Sequence, residues 1–73
     1  MSETIRNEFK VHMLNEKGKH KASELAEEFS QLLNNVESIC GSAGRELALV
    51  RTHLEQAAFY AKRAMASQPE NQE

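Results

Sequence analysis

The sequence predicts an all-α protein: a short N-terminal helix followed by an antiparallel two-helix hairpin, assembled with further copies of itself. Three observations predict it. Apolar residues recur at steps of three and four through two long stretches; one glycine-bearing break, CGSAG at residues 40–44, separates them; and no alternation of apolar and polar residues persists. The oligomeric part follows from size. At 73 residues the chain is read as one domain, 1–73, in a range where a lone chain buries only about 60% of its unfolded surface. A single cysteine, Cys40, rules out an intramolecular disulfide and lacks zinc-type spacing, so contact with other copies is the remaining way to gain core.

The first predicted element covers residues 2–13. Ser2 suits an N-cap with Glu3 in the first turn, and Ile5, Phe9 and Met13 share one face at i, i+4, i+8. So short a helix is marginal alone and is expected to hold by docking that face into a groove, on this subunit or a neighbour.

Asn15 is the expected N-cap of the next helix, residues 16–38, with Glu16 just inside it and Gly18 leaving room for a bend or a close ligand. Its stripe is Ala22, Leu25, Ala26, Phe29, Leu32, Leu33 and Val36, with Glu24, Glu27, Glu28, Asn34 and Glu37 mostly opposite. In the break, Gly41 fits a left-handed position after the helix, Ser42 a cap for the next one, and Gly44 keeps the approach small. Helices joined by so short a turn run back antiparallel. Cys40, at a helix end, is expected to be buried and inert, with a reactive thiol as the alternative.

The second long helix, residues 43–67, carries Leu47, Val50, Leu54, Ala57, Ala58, Ala61 and Met65 on one stripe. A second apolar set, Ala48, Leu49, Phe59 and Tyr60, falls off that stripe, so more of the circumference is apolar than one neighbouring helix hides. Arg45, Arg51, Thr52, His53, Lys62 and Arg63 are interleaved with this surface. Residues 68–73, polar and bearing the only proline, are expected to be a disordered tail.

Charge and motif narrow the function. A net charge of −2 argues against a general DNA or RNA binder. No run of 18 apolar residues suggests a membrane span and MSETIRNEFK lacks a secretory core, so a cytoplasmic location is expected. His12, His20 and His53 form no HExxH or other metal spacing, and neither a GxSxG elbow nor a Cys/His pair with an orienting partner is visible. The residues thus suggest neither an enzyme nor a metal or cofactor site.

Phosphate capture has more support. Lys17, Lys19, His20 and Lys21 crowd the start of the long helix, where cations oppose the helix dipole unless an anion arrives and where free amides also point at one. The plain alternative is a solvated lysine-rich helix start. Phe9, Phe59 and Tyr60 are candidates to stack on a base, or else packing residues. Arg45, Arg51 and Thr52 offer further donors to phosphate, against ion pairs such as Arg51 with Glu55 as the alternative.

The segments Gly44–Leu49, Arg51–Thr52, Leu54–Gln56 and Phe59 with Arg63–Ala66, preceded by Phe9–Lys10, Leu14–Glu16 and Lys21, resemble the small phage proteins that sequester cyclic oligonucleotides, the anti-CBASS sponge family (type two). The resemblance spans roughly residues 4–67. It implies a helical hairpin with a short N-terminal helix, assembled as a homohexamer, which binds cyclic dinucleotides such as cyclic GMP-AMP, and in some members cyclic trinucleotides at a separate site, without cleaving them. Removing the messenger would silence the host's antiviral effector. By position, Phe9 and Lys21 match the family's dinucleotide aromatic and lysine, with Lys10 and Lys17 beside them. Arg45, Arg51 and Thr52 fall where trinucleotides bind. Phe9 stands where the family often has Tyr and so lacks that hydroxyl.

Magnitudes agree with such binding: stacking contributes ~1–3 kcal/mol per base, and a charged hydrogen bond ~1.5–3 kcal/mol. The other readings of the residues are a helical interaction module that inhibits a host protein and a small DNA-binding regulator, the latter without a basic recognition helix.

Overall fold

The computed structural model describes residues 12–73, and these form a helical hairpin. Helix α1 spans Glu16–Cys40 and helix α2 spans Arg45–Ala66. The expected helix over 2–13 lies outside the described residues except for its last two, His12 and Met13, which are not helical.

Why α1 starts where it does follows from Asn15. Its side-chain oxygen accepts the Gly18 amide at 2.8 Å, satisfying one of the amides that the first turn leaves without a carbonyl. At the other end α1 runs two residues past the expected 38, to Cys40, and stops at Gly41. Gly41 has φ 89° and ψ 174°; the positive φ was expected, but the extended ψ places it outside the left-handed helical region and in one essentially reserved for glycine. Ser42 does not cap α2. The N-cap is Gly44, without a side-chain bond, and Ser42 instead lends its carbonyl to Arg51.

The two stripes face each other. Leu47 and Met65 of α2 are buried, while Val50, Leu54, Ala58 and Ala61 of α2 and Ala22, Leu25, Phe29, Leu33 and Val36 of α1 are half-buried. Ala26, Leu32 and Ala57, at the stripes' margins, stay exposed. That only two apolar side chains are buried among the described residues is what a pair of helices can achieve: each cylinder hides one stripe against its partner and presents the rest to solvent. The second apolar set is accordingly uncovered. Leu49 is 46% exposed, Phe59 58% and Tyr60 62%. The two rings meet edge to face at 5.3 Å, with Arg63 6.0 Å from the Phe59 centroid. Cys40, expected to be buried, is exposed, because it closes α1 beside the turn rather than between the helices.

The largest departure is the C-terminus. Residues 68–73 were expected to be disordered, yet Pro69–Asn71 form a 3₁₀ turn that folds back on the start of α1, and Leu14 pairs with Gln72 in an antiparallel bridge. The physical reason is backbone pairing. Asn15 N–H donates to the Asn71 carbonyl at 3.0 Å and Glu73 N–H to the Met13 carbonyl at 2.9 Å. The proline does not oppose this, since at the first position of a turn its missing N–H has no partner to lose.

Candidate functional site

The lysine-rich start of α1 is the place where sequence and structure converge. Lys17 and Lys21 are one turn apart on the same helix surface. Lys19 pairs with Glu16 at 3.9 Å and His20 with Glu24 at 3.7 Å, both pairs well exposed. Lys17 has no ion pair among the described residues. Lys21 is half-buried, and its ammonium lies 3.8 Å from Glu70 of the C-terminal turn, too long for a hydrogen bond.

Below Lys21 an open groove of about 560 Å³ runs between the helices. Leu25, Ala61, Ala64 and Met65 give it an apolar floor, and Glu24, Glu27 and Glu28 edge it with carboxylates. An anion reaching Lys21 therefore meets carboxylates along the groove and Glu70 from the C-terminal turn, and finds a second cation, Lys17, one turn back.

The C-terminal turn that carries Glu70 is fastened by side-chain amides. Asn15 Nδ2 donates to the Glu70 carbonyl at 2.9 Å and to the Gln72 carbonyl at 3.1 Å while its oxygen caps α1. Asn71, fully buried, donates from Nδ2 to the Met65 carbonyl and to Gln68 Oε1, both at 2.9 Å. Gln72 Nε2 closes the set on the Ala66 carbonyl at 2.9 Å. The packing explains Gly18. A Cβ there would sit 2.4 Å from the Asn71 carbonyl oxygen, a backbone atom, so the turn itself would have to shift.

The second group of candidates is split by the fold. Arg45 and Thr52, seven residues apart, share the outward face of α2 and are exposed. Arg51 is turned toward α1. Its Nε and Nη2 donate to one oxygen of Glu37 at 3.0 and 2.6 Å, and Nη2 also donates to the Ser42 carbonyl at 3.0 Å. The partner of Arg51 is thus Glu37 across the turn rather than Glu55 on its own helix. Phe9 and Lys10 lie outside the described residues.

Sequence reasoning missed Glu70 as the neighbour of Lys21, Asn71 and Gln72 as partners of Asn15 and the end of α2, and Glu37 as the partner of Arg51. Periodicity carries no signal for any of these, since each contact is made between elements. Among the described residues no cluster of His, Cys, Asp and Glu is arranged to hold a metal, and no helix is long and apolar enough to cross a membrane.

A family model described as Acb2/Tad1, hairpin domain, matches residues 1–66. Comparison with curated proteins and with solved structures gives no match. The matched stretch ends where α2 ends, and the C-terminal turn lies beyond it.

Proposed function

The chain belongs to the family of Acb2/Tad1 hairpin domains, and on that premise we propose that it binds and sequesters cyclic dinucleotides such as cyclic GMP-AMP without cleaving them. The family consists of sequestering sponges rather than enzymes. The observation that carries the reading to particular atoms is Lys21: a half-buried cation one turn from Lys17, in the second turn of a helix, held by nothing shorter than a 3.8 Å contact. Phosphate approaches it from the Lys17 side, away from the groove's glutamates, and Phe9, with Lys10 beside it, supplies the ring on which a base stacks. Two stacked bases at ~1–3 kcal/mol each and two charged hydrogen bonds at ~1.5–3 kcal/mol each exceed the cost of immobilising the ligand.

We assign the outward face of α2, with Leu49, Phe59 and Tyr60, to contact with other copies in a homohexamer. Arg45 and Thr52 on that face are the donors we assign to cyclic trinucleotides, and Arg51 serves the hairpin instead. In a host cytoplasm such an assembly would withdraw the messenger from its antiviral effector.

Calorimetry with cyclic GMP-AMP tests the site. Lys21→Ala and Phe9→Ala should each weaken binding by about tenfold or more, with helical content unchanged; wild-type affinity in both variants overturns the assignment. Ligand released by heating should be intact, and linear product in its place would mean hydrolysis.

A further inference from the structure

We propose that the C-terminal turn is a counter-anion device: it delivers the Glu70 carboxylate to Lys21, and ligand phosphate gains the lysine by displacing it. The inference rests on the reading of Lys21 as a phosphate contact and adds to it a residue beyond the stretch that the family model matches.

Delivery is built into the backbone. The Glu70 carbonyl is held by Asn15 Nδ2 at 2.9 Å, and the next residue, Asn71, is fully buried, so the backbone from which the Glu70 side chain reaches Lys21 is set by the fold. The pair it makes is loose. At 3.8 Å, with Glu70 57% exposed, it is a solvent-screened contact that contributes little to holding the fold. Nor is Glu70 needed to neutralise Lys21, because Glu24, Glu27 and Glu28 already edge the groove beneath it. What the carboxylate does is occupy the ammonium from the C-terminal side and oppose any second anion there.

Because the turn itself is fastened by the Asn15, Asn71 and Gln72 side-chain amides, phosphate need displace only the loosely held carboxylate, and the affinity for an anionic ligand is held below what Lys21 alone would give.

Titration of cyclic GMP-AMP into the full chain tests this. At low salt Glu70→Gln should bind roughly threefold to fivefold more tightly than wild type, an advantage that shrinks toward nothing at high salt. Glu73→Gln makes the same charge change on the same tail, where no ion pair to Lys21 exists, and should leave affinity unaltered. In a Lys21→Ala background Glu70→Gln should have no effect. Unchanged or weaker binding by Glu70→Gln, or equal tightening by Glu73→Gln, overturns the device. If Lys21→Ala loses binding and Glu70→Gln changes nothing, the counter-anion falls and the site stands; if Lys21→Ala binds like wild type, the site itself falls.

Discussion

Each end of the hairpin brings a cation nominated by the sequence against a glutamate distant in the chain, and the two pairs could hardly be more different. At the turn, Arg51 gives two hydrogen bonds to a single Glu37 oxygen, at 2.6 and 3.0 Å, and a third to the Ser42 carbonyl. At the open end, Lys21 and Glu70 stand 3.8 Å apart with no hydrogen bond between them. Arginine's planar fork satisfies several acceptors at once, whereas a lysine ammonium on a flexible stem is a point charge that trades partners readily. The difference teaches which cation is spent and which is available. Arg51 fastens α2 to α1, and Lys21 meets Glu70 only through a 3.8 Å contact.

The comparison breaks most visibly at Gly18. Gly18→Ala should improve α1 as an isolated helix, yet its Cβ would meet the Asn71 carbonyl oxygen at 2.4 Å and drive the C-terminal turn off. The expected cost is about 2 kcal/mol in urea denaturation, with far-ultraviolet ellipticity maintained and the Asn71, Gln72 and Glu73 amides losing exchange protection. Protection retained at those amides would show that the turn does not depend on this close approach.

A smaller effect sharpens the other end. Arg51→Ala should cost about 1–2 kcal/mol, because it leaves Glu37, whose side chain is 25% exposed, without its donor. Arg51→Lys should recover less than half of that, since one ammonium cannot reproduce the paired donation to Glu37 and the bond to Ser42. Full recovery by lysine, read from the same denaturation midpoints, would erase the distinction drawn between the two cations.

The smallest effect completes it. Lys21→Ala should change folding stability by less than about 0.5 kcal/mol, the range of an exposed ion pair, while it removes most of the affinity for cyclic GMP-AMP. A stability loss matching that of Arg51→Ala would place Lys21 among the residues that hold the hairpin.

How much of this was legible beforehand varies by residue. Asn15 could be read as an N-cap because capping is local: side chain and amide are three positions apart. Leu47 and Met65 could be read as core because helical spacing puts them on one stripe. The same spacing found the exposed set of Leu49, Phe59 and Tyr60 and the cationic start of α1. Asn71 could not be read at all. In a polar tail with a proline, its burial depends on pairing with Asn15 and Met65 and on the close approach to Gly18, and nothing in its own neighbourhood announces those contacts. Cys40 and Ser42 were misplaced for a related reason, since the path of a short turn is fixed by what both helices do around it.

What the sequence determined by itself is therefore the two helices, the break between them, the stripe each presents and the gathering of cations at one helix end, because all of these follow from interactions within a few residues. What only the tertiary structure decided is the partner of each charge: Glu37 for Arg51, Glu70 for Lys21, and a C-terminus folded onto Gly18 rather than left in solvent. Those pairings join positions far apart in the chain, and their existence depends on the hairpin having already brought its ends together.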